Sequence, residues 1–455
     1  MDTETAYNLA LDYLYSFVDY SLKHSSELAK AEFNLDRMFA LMELLGNPQK
    51  RYPIIHVAGT KGKGSVSAIC AAAWQAAGYK VGLYTSPHLE DYCERIQING
   101  KPISHAQLVQ LVEQVKHAVA SVPKLTTFEI TTAIAFLCFA GQNVDVAVFE
   151  VGLGGRLDAT NIITPKVSVI TSLSYDHTAV LGDTLAKIAG EKAGIIKPGV
   201  PVVSSPQKEE ALQTIVRVAK KQKAPFTLVG RDVPFKRTFH SLNGQSLQIQ
   251  TFSRFALLKK ESKPEKERRS RRRMINLQIP LLGVHQVENA ATAYAALKLS
   301  GIKISDEAIA RGFALVKWPA RFEIVRRVPP IILDSAHNQD SFEKLCETLD
   351  EYFPDRLLYL IFGASEDKNV PGMLGALKRK IKKLIVTQAD HPRALEVQVI
   401  QRLAEQVEVP NEAVRPVSAA FARALELAEN DGSIILSAGS MFVTAEVLTA
   451  WKKMN

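Results

Sequence analysis

The stretch His56-Val57-Ala58-Gly59-Thr60-Lys61-Gly62-Lys63-Gly64-Ser65 holds the residue types that grip a polyphosphate. It follows Tyr52-Pro53-Ile54-Ile55, which reads as a short buried strand, and precedes a helical run over 66–77. In a strand, glycine-rich turn and helix, backbone N–H groups and the positive helix end converge on an anion. Lys63 is expected to reach the β/γ-phosphates and Ser65 to sit beside a metal ion. The general phosphate-loop pattern puts four residues between its first glycine and the Gly-Lys pair, and Ser or Thr directly after that pair. Here only Thr60 and Lys61 separate Gly59 from Gly62-Lys63, and Gly64 stands between Lys63 and Ser65. A nucleoside triphosphate site is the first expectation, weighed against a merely flexible glycine turn.

More polar residues fall where apolar runs end. The run 81–84 leads into Thr85-Ser86-Pro87-His88, the run 144–149 into Glu150, and the run 167–171 into Tyr175-Asp176-His177-Thr178. In an open parallel sheet, ligands gather at the carboxyl ends of strands. A hydroxyl, a carboxylate and an imidazole there suit one hard cation, so Ser86, Glu150 and His177 are candidate Mg²⁺ ligands. Taken singly, each reads as an ordinary turn or cap residue. It is their joint placement behind a phosphate loop that points to metal. Lys192, in Gly190-Glu191-Lys192-Ala193-Gly194, reads by itself as a lysine complementing a helix dipole.

Strand and helix patterns alternate in a way that would position these residues. Strand candidates are 54–57, 81–84, 144–151, 167–171 and 202–204, with helical stretches at 66–77, 104–120, 128–140, 185–195 and 209–221. This is the pattern of a parallel sheet covered on both faces. A second set follows: strands 331–333, 357–362, 383–387 and 433–437 with helices 341–352, 370–378, 395–405 and 419–428. The break falls at Val316-Lys317-Trp318-Pro319, giving domains 1–318 and 319–455 with a hinge expected near 316–320.

The 455 residues are enough for two cores, and 47% hydrophobic content excludes general disorder. Apolar runs such as 133–140 are too short to span a bilayer, and Met1-Asp2-Thr3-Glu4-Thr5 lacks signal-peptide character, so a cytoplasmic enzyme with no membrane partner is expected. Cys70, Cys93, Cys138 and Cys346 show no metal-ligand spacing. The net charge of +9 is concentrated: residues 259–273 hold nine basic and three acidic side chains, a local +6, leaving +3 elsewhere. Flanked by strand-like 246–252 and 275–279, that run reads as a solvated hairpin insertion rather than a nucleic-acid site.

Taken in order, these motifs resemble the Mur ligase superfamily, and within it the folylpolyglutamate synthase/dihydrofolate synthase family. The resemblance covers Leu35-Asp36-Arg37-Met38, the phosphate loop, Ser86-Pro87-His88-Leu89 with Glu94-Arg95-Ile96, Thr127-Phe128-Glu129 and the stretch from Glu150 to Asn161. It continues through Asp176-His177-Thr178, Glu191-Lys192-Ala193-Gly194, Gly283-Val284-His285-Gln286 with Asn289, Trp318-Pro319-Ala320-Arg321-Phe322-Glu323, Asp334-Ser335-Ala336-His337-Asn338, Asp367-Lys368 and Gly439-Ser440. It implies an α/β fold: an N-terminal phosphate-loop domain of the Mur ligase central type and a smaller Rossmann-like C-terminal domain. It also implies an ATP-dependent ligase joining L-glutamate to dihydropteroate or a reduced folate.

Residue by residue, the resemblance implies that Gly59, Thr60, Lys61, Gly62, Lys63, Gly64 and Ser65 hold the phosphates. It puts Arg321 near the γ-phosphate, Asn289 and His337 near the adenine, and Asp334 at the ribose, with Lys63, Lys192, His337 and Arg321 as catalytic candidates. Ser65, Ser86, Glu150 and His177 are implied Mg²⁺ ligands, and Lys192 is implied to carry a carbamate on a second Mg²⁺. Arg95 matches a position near the glutamate site, and Thr126, Phe128 and Asp158 match positions that hold a pterin. A monomer is implied. Lys61 stands where many members have asparagine, Ala320 and Ser335 where glycine is usual, Gln339 where proline is frequent and Asn369 where aspartate is. Alternatives from the residues are a related amide ligase on another carboxylate, and a nucleotide-binding protein that has lost catalysis.

Overall fold

A computed structural model describes residues 2–19, 33–250 and 273–454. The basic run lies outside these residues apart from Arg273. Strands are β1 (Ile54–Ala58), β2 (Val81–Tyr84), β3 (Ile96–Ile98), β4 (Lys101–Pro102), β5 (Val146–Glu150), β6 (Val167–Ile170), β7 (Val202–Ser204) and β8 (Phe226–Leu228). They make one sheet in the order β4-β3-β2-β5-β1-β6-β7-β8, with β2, β5, β1, β6, β7 and β8 parallel and β3 and β4 antiparallel at one edge. The parallel strands β1, β5 and β6 are buried at every position, as continuous apolar runs predict for a sheet covered on both faces.

One face is covered by the helix Lys63–Ala76, backed by Val284–Leu299 and Asp306–Leu315. The backing is close: a Cβ on Gly312 would come within 2.4 Å of Ala73 Cα. The other face carries His105–Ala120 and Thr127–Gly141, whose Ile130, Ile134 and Phe136 are fully buried. Each such side chain stabilises the fold by about 1.5–3 kcal/mol through burial.

The flanking strands of the charged run meet. β9 (Phe235–Ser241), β10 (Gly244–Gln250) and β11 (Met274–Ile279) form an antiparallel sheet in which Gln250 pairs with Met274. The hairpin expectation therefore holds for the strands on either side.

A further sheet has the order β12-β13-β17-β14-β15-β16, from β12 (Glu323–Arg327), β13 (Pro330–Leu333), β14 (Leu358–Phe362), β15 (Ile381–Val386), β16 (Asn411–Ala413) and β17 (Ile434–Ala438). All pairings are parallel except β12 with β13. Apolar clusters cover both of its faces. The mixed α/β fold with parallel sheets agrees with the expectation. Element ends shift by a few residues: β5 begins at Val146 rather than 144, and the last helix of the second predicted set runs Val417–Asp431. Among the described residues no helix is long and apolar enough to cross a membrane.

Candidate active site

Every site residue expected from sequence lines one cavity of about 900 Å³ that opens between the two parallel sheets. The phosphate loop leaves β1 and enters the helix Lys63–Ala76, whose first turn has no side-chain cap. Its glycines are there for space as well as conformation. Gly62 has φ +85°, and a Cβ would lie 2.3 Å from Asn289 Oδ1; a Cβ on Gly59 would lie 1.8 Å from Thr171 Oγ1. A side chain at either position would collide with a neighbouring element, so the glycines let the loop pack against the end of β6 and the helix Val284–Leu299. One detail departs from expectation: the Thr60 and Lys61 amides both donate to Ser172 O at 3.0 Å. Those two N–H groups shape the loop, so the anion-binding donors are left to the start of the helix.

Around the loop the charges interlock. Lys63 Nζ lies 3.8 Å from Glu150 Oε1 at the end of β5. Burial raises the Glu150 carboxyl, with Lys63 and Arg321 opposing. Burial likewise lowers Arg321, with Asp334 and Glu150 opposing. Lys192 is buried, donates to Gly59 O at 2.9 Å, and is pushed down to about 7 by burial and then by Lys63. His177 is pushed down to about 4 by burial despite Asp176, which leaves a neutral imidazole free to ligate. Hydroxyls of Ser65 and Ser86, the Glu150 carboxylate and neutral His177 form a donor set that fits Mg²⁺ beside phosphate.

The second part supplies the remaining wall. Asp334 accepts from Phe322 N at 2.7 Å and Ala336 N at 2.8 Å, holding the turn that carries Arg321 against the end of β13. His337 Nδ1 lies 2.8 Å from Ser335 O, so that nitrogen carries the proton; burial and Lys61 push the ring down to about 3. Such a ring orients by hydrogen bonding rather than by giving up a charge. Asn289 Nδ2 donates to Gln286 Oε1 at 3.0 Å.

At the other end of the cavity, Arg95 Nε donates to His88 Nδ1 at 2.9 Å and its guanidinium lies over Tyr92. Thr126 caps the helix Thr127–Gly141 in a capping box with Glu129. Phe128 packs on Gly152, where a Cβ would come within 2.5 Å of the ring. Asp158 accepts from Gly152 N, Leu153 N and Thr160 N, so its carboxylate also braces the loop after β5.

Asp176 and Lys368 received no role from sequence, although both lie in quoted motifs. Asp176 contacts Lys61 at 3.5 Å, Lys368 at 3.4 Å and Asn338 at 3.3 Å, joining the phosphate loop to the second part. The signal was a carboxylate beside a metal-type histidine, but its partners are far away in sequence.

The Mur ligase middle domain matches residues 57–297 and the Mur ligase glutamate ligase domain matches 320–441. A dihydrofolate synthase/folylpolyglutamate synthase of Bacillus subtilis is 36% identical over 97% of this chain and 98% of its own length. The chain belongs to the folylpolyglutamate synthase/dihydrofolate synthase family of Mur ligases. Among solved members of that family, Mycobacterium tuberculosis folylpolyglutamate synthase complexed with ADP superposes with TM-score 0.86 at 32% identity, covering 98% of each chain. Escherichia coli FolC in complex with DHPP and ADP gives TM-score 0.79 at 29% identity, covering 96% of this chain and all of that one.

Proposed function

We infer that this chain is an ATP-dependent ligase that joins L-glutamate to a folate-type carboxylate, releasing ADP and phosphate. The observation that carries the reading is the meeting of Lys63, Glu150 and Arg321 in one cavity between two parallel sheets, in a chain of this family. A carboxylate is a poor electrophile because oxide is a prohibitive leaving group at neutral pH. Transfer of the γ-phosphoryl makes an acyl phosphate, whose leaving group is inorganic phosphate. The unprotonated amine of glutamate then attacks the acyl carbon, and the tetrahedral intermediate expels phosphate.

The barrier to the first step is charge repulsion. Lys63 and Arg321 lower it by holding the terminal phosphate and neutralising developing charge. Ser65, Ser86, Glu150 and His177 are the proposed Mg²⁺ ligands, and Mg²⁺ bound there would supply further charge neutralisation. Lys192 is proposed to become carbamylated and to serve a second Mg²⁺; its low proton affinity supports this, because CO₂ adds only to a neutral amine. Asn289, His337 and Asp334 are assigned to the nucleoside, Arg95 to the incoming glutamate, and Thr126, Phe128 and Asp158 to the pterin. The proposed domains are 1–318 and 319–455, in a cytoplasmic monomer.

The test is phosphate release with ATP, Mg²⁺ and L-glutamate, given either dihydropteroate or tetrahydrofolate. Turnover with dihydropteroate marks first-glutamate addition, and turnover with tetrahydrofolate marks chain extension. Lys63→Ala is expected to lower kcat by about 10²–10³-fold, as removal of a charge-stabilising donor does. No glutamate-dependent phosphate release with either acid would overturn the reading.

A further inference from the structure

Outside the cavity, three elements converge on a cluster that the ligase reaction leaves without a role. The helix Thr3–Tyr15 brings Glu4 and Tyr7, the turn Tyr92–Arg95 with its cap brings Asp91 and Cys93, and the helix His105–Ala120 begins with His105. None of these five lines the large cavity. One ligand atom each from Asp91, Cys93 and His105 lie within 4.8 Å of one another. We propose that Asp91, Cys93 and His105 form a zinc site, with Glu4 as the outer carboxylate that orients the imidazole.

The donor chemistry selects the metal class. Sulfur, nitrogen and oxygen together suit a borderline-soft ion such as Zn²⁺ and disfavour Mg²⁺, which prefers oxygen alone. Tetrahedral zinc, with Zn–S about 2.3 Å and Zn–N or Zn–O about 2.0 Å, needs donors roughly 3.3–3.5 Å apart, so side-chain adjustments of about 1 Å close the site.

The surroundings are those of a ligand histidine. His105 Nδ1 faces Glu4 at 2.8 Å, leaving Nε2 turned to Asp91 Oδ2 at 2.8 Å. A ligating histidine commonly gives its second N–H to a carboxylate, which fixes tautomer and ring direction. Tyr7 stacks on the imidazole with centroids 3.7 Å apart and planes within 4°. The other Asp91 oxygen is held by Cys93 N at 2.7 Å and Tyr7 Oη at 3.3 Å, while Oδ2 meets His105 Nε2, the contact that a metal between them would replace. A capping box between Asp91 and Glu94 stiffens the turn. Cys93 is buried; metal binding replaces its S–H bond by S–Zn and releases that proton to solvent, with no change of oxidation state.

Arg95 leaves the same turn two residues after Cys93 and lines the cavity. A metal here would pin that wall to the helices Thr3–Tyr15 and His105–Ala120. The site therefore positions the turn rather than taking part in phosphoryl transfer.

Co²⁺ titration of the chelator-treated full chain, with Mg²⁺ in excess, tests the site. A single Co²⁺ should produce a thiolate-to-cobalt charge-transfer band with tetrahedral d–d bands, and one equivalent of Zn²⁺ should bleach both. Cys93→Ser should lose the charge-transfer band, and Glu4→Gln should weaken Co²⁺ binding by about 10–100-fold. Because Cys93 is buried, His105→Gln provides a second variant, expected to abolish the tetrahedral d–d bands while ADP binding persists. Absence of the band in the natural chain, or an unchanged spectrum in His105→Gln, would overturn the proposal.

Discussion

Lys192 shows how one buried amine can depend on pH. With its pKa pushed down to about 7, roughly half the amine is neutral at pH 7 and about one tenth at pH 6. The group is a base with a depressed pKa, so its neutral form grows as pH rises and carbamylation should grow with it. Carbon-13 NMR after labelled bicarbonate should show a carbamate signal near pH 8 that fades toward about pH 6. Lys192→Ala should lack the signal and lose turnover, with partial rescue by small carboxylates. No signal in the natural chain together with full activity in the variant would remove the carbamate. Ala320, where glycine is usual, is held at φ +53°. A left-handed alanine costs about 1–2 kcal/mol. Ala320→Gly relieves that but loses a buried methyl, about 0.8 kcal/mol, and loosens the unfolded chain by about 0.4–1 kcal/mol. The variant should therefore fall within about 1 kcal/mol of the natural chain, whereas Ala320→Val should cost about 2–3 kcal/mol in urea unfolding. Ser335, the second departure, donates both N and Oγ to Ala320 O at 3.0 Å. Gln339 and Asn369 also pair with each other, at 3.2 Å.

At the scale of elements, the phosphate loop shows that a glycine answers to a neighbouring helix as much as to its own φ. Gly62→Ala would place a methyl against Asn289 of the helix Val284–Leu299, whereas Gly78, also left-handed at φ +89°, has nothing within 4 Å of an added Cβ. Gly62→Ala should weaken ADP binding at least about tenfold by calorimetry, while Gly78→Ala should keep ADP affinity and lose only about 1 kcal/mol of stability. Equal ADP affinity in both variants would refute this account of the loop. The same contrast marks what the sequence made legible. β1, β2, β5 and β6 are short apolar runs ended by turn residues, so the sheet and the strand-end positions of Ser86, Glu150 and His177 could be read directly. β9 has no fully buried residue and β16 is Asn-Glu-Ala at an edge; neither has an apolar run to reveal it. The Asp176–Lys368 pair joins residues 192 positions apart, and local periodicity carries no trace of such a contact.

For the whole molecule, the question is what holds two sheets around a cavity rich in cations. Lys61 and Lys63 enter from the phosphate loop, Arg321 and Lys368 from the second part. Asp176 is the carboxylate between Lys61 and Lys368. Burial raises it, but the Lys61 and Lys368 ammonium groups beside it outweigh burial and hold it well below the usual carboxylate range, so it stays ionised at any working pH. Lys61 is itself pushed down to about 8 by burial even with Asp176 beside it. Asp176→Asn leaves those ammonium groups crowded without a counter-charge, so the ligand-free protein should melt at a lower temperature. ATP brings its own negative charges to the same groups, and the rise in Tm on adding Mg²⁺ and a non-hydrolysable ATP analogue should be larger in the variant than in the natural chain. The two shifts have opposite signs, which separates charge compensation from a simple loss of packing. A lower starting Tm with an unchanged or smaller ligand-induced rise would mean that Asp176 braces the turn before His177 and does not balance the phosphate-binding cations.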